Sequence, residues 1–269
     1  MNSVTFCVAT LSLIAASPAL AQSFNLDIGQ PGTAPPNSYG AAANQPGHWL
    51  SLPCTQGVSV FNLTDINGTV TIARLSQIGG TQTLLINDPD LTGDDATLMN
   101  DYLITFTTVE NCLFFRDMEP GEYEVFIYAR MPAQPTVMAY TSVDQEPGFP
   151  HLVVGGEWPG QHQELISYSK HNATVGANGN LYMHSGVAPG GSLQNGAAIN
   201  GVQIRKIVPN PADLSGDGSV GVPDLLMVIN AWGRCDPAPA ACAEDIAPPP
   251  GGDDSVGVPD LLMVINNWG

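Results

Sequence analysis

The chain has 269 residues, of which 43% are hydrophobic and 12% charged, and its 25 Asp and Glu against seven Lys and Arg give a formal net charge of −18. A chain this acidic cannot neutralise phosphates, which excludes nucleic acid as a partner and argues against anionic membranes. After the N-terminus, no stretch reaches the roughly 18 apolar residues that a membrane span requires.

Residues 1–21 read as a secretory signal peptide. Phe6 to Ala16 forms an apolar core, and Ala19, Leu20 and Ala21 before Gln22 fit small-x-small cleavage after Ala21. The mature protein is therefore expected to be secreted and extracellular. Cys7 leaves with the signal, so Cys54, Cys112, Cys235 and Cys242 remain. An even count in an oxidising compartment reads as disulfides. Pairing within modules favours Cys54–Cys112 and Cys235–Cys242.

Residues 22–207 read as one mostly β domain. Short β-branched and aromatic runs at 58–63, 70–75, 103–109, 122–129, 137–143, 165–168 and 201–207 are separated by Gly, Pro, Asn and Asp. In 122–129 both faces carry apolar groups, which predicts an interior strand. Thr92, Gly93, Asp94 and Asp95 resemble a capping box, and the helix they open is expected to bury Leu98, Met99, Tyr102 and Leu103. Many short strands with glycine-rich turns indicate a jelly-roll-type β-sandwich.

Candidate sites in this domain are carboxylates and aromatics. Asp88, Asp90, Asp94, Asp95 and Asp101 fall close together; a solvated loop capping the helix is preferred over calcium or catalysis. Glu157 and Glu164 lie near Trp158, His151 and His162 in sequence. Trp49, Trp158, Tyr168 and Tyr182 are candidates for stacking on the apolar C–H face of a sugar. There is no G-x-S-x-G elbow and no H-E-x-x-H, so no catalytic residue is assigned.

Residues 208–269 hold nine acids and one Arg, and contain a duplication. SVGVPDLLMVIN occurs at 219–230 and again at 255–266, and each copy ends in Trp-Gly. Calcium takes about six to eight oxygens, offered by a 12-residue loop at positions 1, 3, 5, 7, 9 and 12. Counting from Asp213, these include Ser215, Asp217, the Ser219 carbonyl and Asp224, with Gly218 at the sharp turn. Pro223 suits the first helical turn, Leu225, Ile229 and Trp232 form an apolar stripe, and Gly233 ends the helix. The second loop offers Asp245, Asp253, Ser255 and Asp260, interrupted by the insertion at 248–251, with Ala247 at position 3. The first loop is expected to bind calcium more tightly.

Repeats 213–233 and 245–269 together resemble a type I dockerin. That resemblance implies two antiparallel helices, one calcium per repeat, and docking onto a cohesin-like or other extracellular protein. Positions 10 and 11 depart from it, being Val222-Pro223 and Val258-Pro259 where dockerins usually carry Ser/Thr pairs. In the preceding domain, Pro120 to Ala129 and the closing Asn200 to Arg205 resemble strands of galactose-binding-like and malectin-like sandwiches. The expectation is a secreted, non-catalytic modular protein that binds calcium through its tail and a glycan or polysaccharide through its sandwich. A dockerin-bearing glycoside hydrolase and a structural adhesion protein are the alternatives.

Overall fold

The computed structural model describes residues 22–53, 57–106, 110–191, 196–217, 219–235, 242–249 and 252–269. The expected signal peptide, Cys54 and the turn residue Gly218 lie outside them. The chain divides into two compact units that meet at Ile207 and Val208.

The first unit begins with β1 (Phe24–Gly29), β2 (Trp49–Pro53), β3 (Ser59–Val60), β4 (Arg74–Ile78) and β5 (Gln82–Leu85). Then come α1 (Gly93–Met99), β6 (Asp101–Thr105), β7 (Asn111–Arg116), β8 (Gly121–Tyr128) and β9 (Ala139–Val143). β10 (Leu152–Val154), β11 (Tyr168–Val175), β12 (Leu181–Val187), β13 (Ala197–Ile199) and β14 (Gly201–Ile207) complete it.

These strands form a sandwich. One sheet has the order β11-β8-β14-β1-β2, the other β10-β9-β12-β7-β4-β3, and a three-stranded sheet β13-β6-β5 accompanies them. All pairings are antiparallel except β1 with β2. The core follows from period-2 alternation, which sends every second side chain inward. Leu26, Tyr123, Val125, Ile127, Val202 and Ile204 of the first sheet join Leu75, Leu113, Phe115, Val143, Leu181 and Met183 of the second in one buried cluster.

Several expected elements shift. The run 58–63 keeps only β3, and the chain then turns at Asp65, whose Oδ1 accepts the N–H groups of Asn67 and Thr69. Tyr102 and Leu103 belong to β6 rather than to the helix, because Asn100 closes α1 and its side chain accepts the Asp88 N–H. Thr92 makes no side-chain cap bond. Cys112 carries a free thiol, and its expected partner Cys54 lies outside the described residues. It sits on the outer face of β7, opposite Ile78 and His184, and burial beside Asp144 and Glu110 pushes the thiol up to about 11.

The second unit contains α2 (Val222–Asn230), β15 (Gly233–Arg234), β16 (Ser255–Val256) and α3 (Val258–Asn266). The two helices have one sequence and bury the same positions, Asp224 and Val228 in one and Asp260 and Val264 in the other. The expected stripe is thereby corrected. Val228 takes the core position, Leu225 packs beside it, and Ile229 and Trp232 remain 48% and 51% exposed. The Cys235–Cys242 disulfide is present, with Cα atoms 5.7 Å apart. No helix among the described residues is long and apolar enough to cross a membrane.

Candidate functional site

The two outer faces of the sandwich differ in what covers them. On the five-stranded sheet, Trp49, Phe126 and Tyr128 are packed beneath Ala43, Leu91, Leu98 and Met99, with Tyr39, Trp158 and Tyr168 at the margin. Trp49 is only 4% exposed, and its indole N–H donates to the Tyr39 carbonyl at 2.9 Å. The Tyr39 hydroxyl lies 2.5 Å from Asp95 Oδ1 and 2.7 Å from His162 Nε2. Hydrogen bonding from His162, helped by Tyr39, holds the Asp95 carboxyl below its usual range. Three of the four expected stacking residues therefore meet here, but Trp49 serves as packing.

The outer face of the six-stranded sheet carries aromatic pairs set by strand register. Phe114 on β7 stands opposite Tyr182 on β12, and their rings stack at 4.0 Å with only 8° between planes. The Arg116 guanidinium lies 4.4 Å over Phe114. One strand further, Tyr140 stands opposite Gly186. A Cβ at Gly186 would approach the Tyr140 ring to 2.6 Å, so the ring lies flat over a position that only glycine leaves open. Tyr140 stacks in turn on His151 at 4.8 Å, with Phe149 edge-on to both His151 and His184.

Carboxylates edge this surface. His184 Nδ1 lies 3.1 Å from Glu110 Oε2, and its Nε2 lies 3.0 Å from Asp144 Oδ1, out of line for a hydrogen bond. Because the acids sit on opposite ring nitrogens, they brace the imidazole and cannot share an ion with it. Burial, then a hydrogen bond to Glu110, raises the Tyr140 hydroxyl above its ordinary range. The face thus combines the half-buried Tyr182 with exposed Phe149 and His151 above a buried Tyr140, and has acceptors at its edge, which suits a ligand with one apolar face and hydroxyls around it. Tyr182 was legible in the sequence. Phe114, Tyr140, His151 and His184 become neighbours only through register across β7, β12 and β9, and alternation in β7 and β12 was the one available signal.

The expected carboxylate clusters disperse. Asp88 pairs with Arg130 at 2.8 Å, Asp95 turns to Tyr39 and His162, and Asp101 is buried against β1. His162 meets Trp158 edge-on at 5.3 Å, whereas His151 belongs to the other face.

In the tail loops, backbone N–H groups organise the acids. Asp213 Oδ1 accepts Gly216 N–H at 2.9 Å, and Asp217 Oδ1 accepts both the N–H and the hydroxyl of Ser219 at 2.9 Å. Asp224 accepts Ser215 N–H at 2.8 Å and Gly221 N–H at 2.7 Å, which lowers its carboxyl to about 2. Asp260 repeats this with Ile246 and Ala247 at 2.8 Å and Gly257 at 2.7 Å. Asp245 accepts from Asp253 and Asp254 at 3.0 and 2.7 Å, and Ser255 lies in β16. Among the described residues, no three His, Cys, Asp or Glu side chains form a group that could hold a metal ion. The donor chemistry nevertheless fits a hard cation. All candidates are oxygens, and a carboxylate has about four acceptor lobes, so these N–H bonds leave capacity on each acid.

No family model matches the chain, and no curated protein does. Solved structures with similarity include that of plant peptide RALF23 in complex with FER and LLG2, at 12% identity and TM-score 0.41, over 73% of this chain and 42% of that one. The ANXUR2 extracellular domain from Arabidopsis thaliana gives 12% and 0.40, over 69% of this chain and 49% of that one. The chain thus spans less than half the length of either plant structure. The CBM36-1 domain of a multidomain xylanase, from the hindgut metagenome of Trinervitermes trinervoides, gives 14% and 0.30, over 51% of this chain and 99% of that domain.

Proposed function

We propose that the protein is an exported, non-catalytic module that binds carbohydrate on the outer face of its six-stranded sheet. In the same reading, a dockerin-like tail binds calcium and attaches it to an extracellular partner. One observation carries the carbohydrate reading: the half-buried Phe114–Tyr182 stack shares an outer sheet face with the exposed His151, which stacks on the buried Tyr140. The half-buried Tyr182 and the exposed His151 would cover the C–H face of a sugar, while Glu110 and Asp144 would accept from its hydroxyls. Export is supported by the apolar N-terminal run and by the Cys235–Cys242 disulfide. The tail reading rests on the duplicated loop-helix sequence and on an all-oxygen donor set. Asp213, Ser215, Asp217, Ser219 and Asp224 would hold the first ion, and Asp245, Asp253, Ser255 and Asp260 the second.

The test is affinity electrophoresis against a panel of soluble polysaccharides, followed by calorimetry on any hit. Tyr182→Ala and Tyr140→Ala should each weaken binding by about tenfold or more, equivalent to about 1.4 kcal/mol. Trp158→Ala, between β10 and β11 at the margin of the other face, should leave it unchanged. Binding that disappears with Trp158 and survives both tyrosine changes would move the site to the other face.

Hydrolysis is favoured by a single feature, namely that Glu110 and Asp144 bracket His184 on this face. Both acids are exposed, whereas a general acid is ordinarily shielded so that it keeps its proton. Release of reducing sugar that is abolished by Glu110→Gln would establish the enzyme reading.

A further inference from the structure

Where β1 meets the start of β6, two carboxylates are buried together with no cation paired to them among the described residues. Asp27 and Asp101 are 0% and 1% exposed, and Arg130, the buried guanidinium of this unit, is committed to Asp88. The Asp101 side chain lies directly against β1, because a Cβ at Gly29 would approach its Oδ2 to 2.2 Å. Around the Thr33 hydroxyl stand three acceptors: Asp101 Oδ2 at 2.7 Å, the Gln30 carbonyl at 2.7 Å and Asp27 Oδ2 at 3.2 Å. A hydroxyl has one proton and satisfies one of them. Gln30 N–H supplies a second donor, to Asp101 Oδ2 at 2.6 Å.

The remaining oxygens have nothing. Asp27 Oδ1 and Asp101 Oδ1 are buried without a hydrogen-bond partner, and so is Asn200 Oδ1. Asn200 is 0% exposed, and its amide nitrogen is spent on the carbonyls of Met99 at 2.9 Å and Asp101 at 3.2 Å. The Asn200 amide is thereby tied to the Asp101 backbone, and its oxygen is left without a partner. Orphaned buried acceptors are rare in folded proteins, and each calls for a missing donor or ion. Two buried anions without a counter-charge are costlier still.

We propose that Asp27, Asp101, Thr33 and the Gln30 carbonyl form a buried site for one calcium ion. Every donor is a hard oxygen, and nitrogen or sulfur ligands that would select zinc or copper are absent from the set. Two carboxylates neutralise a dication, and a mixture of carboxylate, hydroxyl and carbonyl in irregular array suits calcium better than magnesium, which demands near-octahedral geometry. This set has two acids plus neutral oxygens, and it belongs to the sandwich rather than to the tail. Its competitor is a shared proton. Burial, reinforced by Asp101, pushes the Asp27 carboxyl up to about 8, so a pair lacking a cation would tend to retain hydrogen.

The experiment uses the full chain with the tail loops disabled by Asp213→Ala, Asp217→Ala, Asp245→Ala and Asp253→Ala. Bound calcium is counted by equilibrium dialysis, and unfolding of the sandwich is followed by tryptophan fluorescence in calcium and in EDTA. The expected result is one calcium retained per chain and a sandwich midpoint several degrees higher in calcium than in EDTA. Asp101→Asn in that background should abolish both. If Asp101→Asn does not fold, Thr33→Val should still lower calcium affinity by about tenfold or more, with its midpoint in EDTA preserved. No bound calcium and an unchanged midpoint would overturn the proposal in favour of the shared proton. An equal midpoint rise with magnesium alone, and none with calcium, would overturn the choice of ion.

Discussion

The N–H of Gly269 donates to the carbonyl of Val220 at 3.1 Å, and the equivalent residues 36 positions away in each direction, Gly233 and Val256, pair in the β15–β16 ladder. Each helix of the tail thus ends on the loop that precedes the other helix. Val220, Val228, Val256 and Val264 are buried together between the repeats. Neither repeat closes its own core, which makes the two loops mechanically dependent.

Calcium should therefore act on the tail as a whole. An ion that binds only the folded form adds about 2.7 kcal/mol at a hundredfold excess over Kd. Circular dichroism of the full chain is expected to show helix that melts later in calcium than in EDTA, in one tail transition. Asp217→Ala should remove more of that gain than Asp253→Ala, since the second loop carries the insertion and lacks an oxygen side chain at Ala247. Equal losses would show that the insertion does not impair the second site.

Gly186→Ala tests the aromatic face without removing a ring. Its Cβ would come within 2.6 Å of Tyr140, so the ring must leave its seat on β12. Glycan affinity should fall by about tenfold or more while the far-ultraviolet spectrum is retained, and Tyr182→Phe should bind nearly as wild type. Unaltered binding in Gly186→Ala would mean that Tyr140 takes no part.

Arg130 and Asp88 form a pair with side chains only 2% exposed each, and Arg130 Nε also donates to the Gly156 carbonyl at 3.0 Å. Removing one partner leaves the other charge buried and unpaired. Arg130→Ala is expected to cost about 3–5 kcal/mol in urea denaturation. A loss below about 1 kcal/mol would indicate that water reaches Asp88 once the guanidinium is gone.

His171 gives the sandwich a pH dependence. Its ring is buried in the fold, with Nδ1 2.5 Å from Glu146 Oε2 and Nε2 3.2 Å from the hydroxyls of Thr141 and Ser169. Burial lowers its pKa below 6.5, against the opposing pull of Glu146 and the more distant Glu164. Below pH 6.5 the unfolded chain then takes up the proton more readily than the folded one. This contribution to stability is present above that pH and is lost as pH falls toward the folded value, by at most about 1.4 kcal/mol per pH unit. Denaturation at pH 7.5, 6 and 5 should show the decline, and His171→Gln should flatten it. An unchanged slope in that variant would assign the decline to other groups.

The sequence by itself determined what local periodicity and composition can fix. The β character of the first unit, the boundary near residue 207, the two tail helices and the Cys235–Cys242 pairing follow from alternation, repeated sequence and short separation in the chain. Register and burial lie beyond that reach, because they depend on which strands become neighbours. Trp49 reads like Tyr182 in the sequence, yet Tyr39, Leu91 and Leu98 bury the first while β12 presents the second beside Phe114. The helix after Thr92 stops at Met99 since Tyr102 and Leu103 are drawn into a sheet with β5 and β13. Asp101 reads as one more acid in a polar loop. Only the tertiary structure sets it against Asp27, 74 residues earlier, because the pairing of β1 with β14 and the turn through Asn100 bring those segments together away from water.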